Sequence, residues 1–77
     1  MKTIVWLFEA RIIDDQGKKT TVAVALDSAC IQSIVQETDD CLMIYCKDGS
    51  AWRPEHYQFG DLVTAWVKSQ PIAPKGV

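Results

Sequence analysis

Ile4, Trp6, Phe8, Ala10 and Ile12 fall on every second position near the start of the chain. Only an extended strand gathers such a series onto one face, because side chains alternate sides along a strand. The intervening positions are Val5, Leu7, Glu9, Arg11 and Ile13, apolar at the ends and charged in the middle. One face therefore demands complete cover and the other partial cover. A chain of 77 residues has room for one small domain and little material with which to supply either.

The following residues continue this pattern as a hairpin. Asp14-Asp15-Gln16-Gly17 is a polar cluster closed by glycine and reads as a loop. Lys18–Leu26 then returns antiparallel, with Val22, Val24 and Leu26 inward and the small side chains of Thr21, Ala23 and Ala25 opposite. Small residues on that second face let another layer approach closely. Residues 27–38 admit two readings. Leu26, Cys30, Ile31, Ile34 and Val35 suit helical spacing, whereas β-branched Ile34 and Val35 and the Asp39-Asp40 turn signal suit a strand. A short helical turn over Asp27–Cys30, capped by Asp27 or Ser28 and followed by a strand, reconciles them.

Cys41–Lys47 is a short apolar strand bounded by turns. Asp48-Gly49 predicts a two-residue type I′ hairpin, Ser50–Arg53 pairs back, and Pro54 ends the strand by removing a donor. Beyond Pro54 the period changes. Leu62, Val63, Trp66 and Val67 form one helical stripe, Asp61 opens the helix, Lys68 lies in its last turn and Pro71 stops it. The sum is an α+β domain over residues 1–70. It has a small antiparallel sheet of about five strands, open or curled into a partial barrel, and one C-terminal helix. Residues 71–77 read as a flexible tail; the Pro71–Pro74 spacing fits a polyproline ligand less well than a loose end. A single helix covers roughly half of one sheet face, so apolar strand surface is left over for curling or for a second chain.

Charge and composition exclude several functional classes. Eight basic against ten acidic residues give a formal charge of -2, which disfavours an electrostatically driven nucleic-acid binder. Lys18-Lys19, with Trp52, Tyr57 and Trp66 as stacking platforms, keeps single-stranded nucleic acid as the alternative. The apolar run Ile4–Phe8 is too short for a signal peptide or a membrane span, which points to a soluble cytoplasmic protein. Cys30, Cys41 and Cys46 are an odd set without a CxxC, expected as small apolar side chains in a reducing compartment. With His56 they could supply zinc ligands, but Cys41 and Cys46 lack the tight-turn spacing of a structural site, so no metal and no cofactor is expected. Asp39, Asp40, Asp48 and Asp61 each stand where a turn or cap wants an aspartate, and the four glycines are scattered. No catalytic residues are assigned, and an enzyme is not expected.

The densest set of interface-forming residue types is Trp52-Arg53-Pro54-Glu55-His56-Tyr57-Gln58-Phe59. Trp52, Arg53, His56 and Tyr57 are the candidate partner-binding residues, with one or two of the aromatics expected in the core and Arg53, His56 and Tyr57 partly exposed. A small-ligand pocket between sheet and helix, lined by Trp6, Phe8, Met43 and Trp66, is a third possibility that competes with simple core packing. The leading expectation is a small non-enzymatic interaction or regulatory module. It would be homodimeric because a core of this size contributes only about 3–5 kcal/mol unaided.

Overall fold

The computed structural model of the protein describes residues 3–73. Among the described residues, five strands, a 3-10 turn and an α-helix follow one another: β1 (Val5–Ile13), β2 (Lys19–Asp27), the 3-10 turn (Ser28–Cys30), β3 (Ile31–Thr38), β4 (Cys41–Cys46), β5 (Ala51–Trp52) and α1 (Phe59–Val67). The architecture is α+β, with two small antiparallel sheets, β1–β2 and β3–β4–β5. The ambiguous segment resolves as a 3-10 turn followed by a strand. Asp27 caps the turn by accepting the Ala29 N–H at 2.9 Å, and β-branched side chains then favour extension from Ile31.

Backbone hydrogen bonds link the two sheets. Downstream of β5, Arg11 N–H donates to Arg53 O and Glu55 N–H to Glu9 O, each at 2.9 Å, so that Ala10 bridges Pro54. Pro54 thus docks on β1 rather than merely ending β5. Its missing N–H is harmless there because Arg53 and Glu55 on either side make the contacts. The other half of the same β1 edge is covered by Ile72, whose carbonyl accepts the Leu7 N–H at 3.0 Å. The chain around Pro71–Ala73 is therefore held, with Tyr57 Oη donating to Ala73 O at 2.8 Å; residues 74–77 of the expected tail lie outside the described residues.

Both hairpins turn by the same device. Asp14 N–H donates to Lys18 O and Gly17 N–H to Asp14 O; likewise Cys46 N–H donates to Ser50 O and Gly49 N–H to Cys46 O. Each loop therefore has three residues, and only its last, Gly17 or Gly49, takes positive φ (79° and 92°). The type I′ expectation for Asp48-Gly49 is corrected accordingly. Asp48 avoids the left-handed region and instead accepts the Ser50 N–H and hydroxyl on Oδ1 at 2.9 and 2.6 Å.

One core lies between the sheets and the helix. Trp6, Phe8 and Ala10 from β1 meet Leu26 of β2, Ile31 and Ile34 of β3, Leu42, Ile44 and Cys46 of β4, and Leu62 and Ala65 of α1. Trp6, Phe8, Ile44 and Leu62 are fully buried, each contributing about 1.5–3 kcal/mol by transfer from water. Trp6 and Phe8 are thus packing residues and line no ligand pocket. Trp6 Nε1 donates to Gln70 O at 3.0 Å, which ties the end of the helical segment to β1. The helix stops in a Schellman arrangement, with Gln70 N–H on Ala65 O, Ser69 N–H on Trp66 O and Ser69 at φ 53°. The helical stripe is Leu62, Val63, Ala65 and Trp66, without Val67, which is 77% exposed. Ile12 leaves the buried face of β1 as the hairpin runs beyond the core. Val5, Leu7, Ile13, Val35 and Phe59 also remain exposed. Among the described residues no helix is long and apolar enough to cross a membrane.

Candidate functional site

The β5-to-α1 connection forms one wall of an open groove of about 760 Å³. Arg11 of β1, Gln36 and the Asp39-Asp40 turn of the β3–β4 hairpin, and Leu42 contribute the rest of its lining, together with Arg53–Phe59. The walls come together for a simple reason. Docking of Arg53–Glu55 on β1 aligns this segment with the charged middle of that strand, while β5 pairs with β4 and draws in the β3–β4 turn.

Glu55 is the fixed point of the site. Its carboxylate is largely buried (15% exposed), accepts the Arg11 Nε–H at 2.5 Å on Oε1 and receives Thr21 Oγ1 at 3.4 Å on Oε2. Arg11 and Thr21 face each other across β1 and β2, so one carboxylate fastens the connection to both strands. Arg53 Nη2 donates to Asp40 O at 2.8 Å and holds the β3–β4 turn against the same wall. Both arginines of the groove are thereby committed to partners within the chain. Asp39 and Asp40 are exposed, and their carboxylates accept no hydrogen bond among the described residues.

His56 lies 3.9 Å through Nε2 from Glu55 Oε2, with its side chain 78% exposed. Its φ of 67° is in the left-handed region, a conformation that costs a non-glycine residue roughly 1–2 kcal/mol. The strained residue lies at a bend between the β1-docked segment and the helix. Tyr57 is half-buried; burial, and secondarily the nearby Glu9 carboxylate, raise its phenol above the ordinary value.

Of the four residues expected to meet a partner, the fold brings Arg53, His56 and Tyr57 together on this groove. Trp52 does not join them. It pairs with the fully buried Ile44 and packs against the core, and its Nε1 is buried without a hydrogen-bond partner. Arg11, Glu55, Asp39 and Asp40 complete the site. Arg11 is not marked by local sequence because its partner Glu55 is 44 positions away; the one signal is the charged break at Glu9 and Arg11 in an otherwise apolar strand.

A metal set of His56 with the cysteines does not form, since Cys46 is buried in the core and Cys41 Sγ lies 3.7 Å from Glu37 Oε1. The described residues do bring Glu9, Glu55 and His56 within 4.8 Å of one another through possible ligand atoms. Arg11 already occupies one oxygen of Glu55, so a cation in this cluster would compete with a guanidinium. No protein-family model, curated protein or solved structure matches this chain.

Proposed function

We propose that the protein is a small, non-enzymatic, homodimeric interaction module of the cytosol, and that its groove takes an extended partner segment carrying lysine or arginine. One observation carries the choice of partner chemistry: the groove's two arginines are spent internally, whereas two of its three carboxylates, Asp39 and Asp40, are not. Arg11 is held by Glu55 and Arg53 by the Asp40 carbonyl, whereas Asp39 and Asp40 present unbonded carboxylates at the mouth. A cationic side chain gains from those charges, and its methylene stem can lie along Phe59, which is 40% exposed. Ion pairs at an exposed rim add modest affinity, so binding in the micromolar range and a clear salt dependence follow.

Nucleic acid fits this groove less well. Phosphates need free guanidinium or ammonium groups, and Trp52, the expected stacking platform, packs against the core instead. The non-enzymatic reading is supported by the character of the cluster: Glu55 is ion-paired with Arg11, and among the described residues His56 groups with Glu9 and Glu55.

Selection from an immobilised library of random nonapeptides tests the proposal, followed by fluorescence polarisation of the enriched sequences. The expected result is enrichment of lysine and arginine, and a roughly tenfold loss of affinity in the double variant Asp39→Asn/Asp40→Asn. Enrichment of acidic peptides, or binding of a labelled oligothymidine in low salt that outcompetes every peptide, would overturn it.

A further inference from the structure

With β1 joined to the segment after β5 through Pro54, two outer strand edges remain among the described residues, those of β2 and β3. They differ in regularity. β3 is broken by register shifts between Ile31 and Ser33 and between Gln36 and Thr38, the kind of irregularity that blunts an edge against further pairing. β2 runs for nine residues in unbroken register with β1. Such a regular edge invites another strand.

The phase of the ladder shows which groups that edge offers. Asp14 N–H donates to Lys18 O and Ser28 N–H to Ile4 O, so the even-numbered residues of β2 direct their backbone groups toward β1. Lys19, Thr21, Ala23, Ala25 and Asp27 therefore direct theirs outward. These five residues are self-complementary in charge about Ala23, with lysine at one end, aspartate at the other and small side chains between. On the inner face beside this edge, Val22 and Val24 are only half-buried, whereas their β1 partners Ala10 and Phe8 are almost wholly buried.

We propose that two copies of the chain pair antiparallel through β2, with the two-fold axis at Ala23. This rests on the homodimer reading above and specifies its interface. Ala23 faces Ala23 of the partner subunit, Thr21 faces Ala25 of the partner subunit, and Lys19 faces Asp27 of the partner subunit, twice over. Every outward N–H and C=O over these five residues gains a complement, the ion pairs set the register, and Val22 and Val24 gain cover. A one-residue slip would turn the backbone donors out of phase, and a two-residue slip, which keeps the phase, would still separate lysine from aspartate.

Sedimentation equilibrium on the full chain tests both levels, at concentrations up to about 300 μM. Wild type is expected to dimerise. Ala23→Pro removes an outward donor and no β1 bond, so it is expected to stay folded, with an unchanged far-UV spectrum, and to weaken dimerisation tenfold or more. Lys19→Glu, which sets like charges against each other twice, is expected to weaken it by roughly tenfold, with recovery in the Lys19→Glu/Asp27→Lys pair. A dimer untouched by the proline and by the charge reversal would overturn the β2 interface and leave the homodimer reading standing. A wild-type monomer throughout would overturn both.

Discussion

Replacing Glu55 by glutamine probes the fastening that creates the groove. Glutamine keeps the shape and the capacity to accept from Arg11 Nε but removes the charge from a carboxylate that is 15% exposed. The loss is the difference between a charge-assisted and a neutral hydrogen bond, discounted because Arg11 is itself 38% exposed, or about 1 kcal/mol. The backbone bond from Glu55 N–H to Glu9 O survives, so the connection stays docked and the effect is confined to the side chain. In a domain of this length 1 kcal/mol lowers Tm by ~4–8 °C, well within the reach of thermal unfolding followed by circular dichroism. The companion variant Arg11→Met, and the double variant, complete a cycle. Once Glu55 is changed, the arginine substitution should cost less than it does alone, with a coupling of about 1 kcal/mol. Additive effects, or a Glu55→Gln protein that melts within about 1 °C of wild type, would refute the claim that this pair organises the site.

Two further outcomes follow from particular backbone and side-chain environments. Ser69 sits at φ 53° in a helix-terminating position that glycine occupies without strain, so Ser69→Gly should raise stability by about 0.5–1 kcal/mol in the same melting assay; an unchanged or lower Tm would contradict it. Tyr57 has a raised phenol pKa, chiefly from burial and secondly from Glu9, so Glu9→Gln should lower its midpoint in an ultraviolet titration without returning it to the ordinary value, with Tyr57→Phe identifying the transition. The raised value means that folding favours the neutral phenol. This contribution is intact below the unfolded pKa, about 10, and is lost as pH rises through the folded midpoint.

Much of the fold was legible because its signals are local. The alternation from Ile4 to Ala10 defines β1, the glycine-closed clusters define both hairpins, and the change of period after Pro54 defines α1. The 3-10 turn before β3 could be read from a capping aspartate followed by β-branched residues. Asp48-Gly49 misled because the dipeptide suits both two-residue and three-residue loops, and the choice depends on which flanking pair closes, here Cys46 and Ser50. Val67 misled because two residues at adjacent helical positions are equivalent in periodicity, and only the direction of the sheet decides which of them is covered.

The site was legible by type and less so by partnership. Arg53, His56 and Tyr57 stood out as interface residues and do share a groove, but Trp52, adjacent to them in the chain, falls on the opposite side by strand alternation and packs inward with Ile44. The pairing of Arg11 with Glu55 joins residues from distant parts of the chain through the docking of Pro54 on β1, a contact that no local pattern encodes. The hold of Ile72 on β1 is of the same kind: a residue that composition assigns to a loose end supplies a carbonyl to a strand edge that would otherwise lack one.

The central claim is that backbone and apolar surface left over at the β2 edge is completed by a second copy. Amide hydrogen exchange reads this residue by residue, since outward and inward amides alternate along the same strand. At high concentration the amides of Lys19, Thr21, Ala23, Ala25 and Asp27 should be protected as well as those of Val22 and Val24, and should lose that protection on dilution while Val22 and Val24 keep theirs. If those five amides exchange freely at every concentration while their even-numbered neighbours stay protected, the edge is bare and the claim fails.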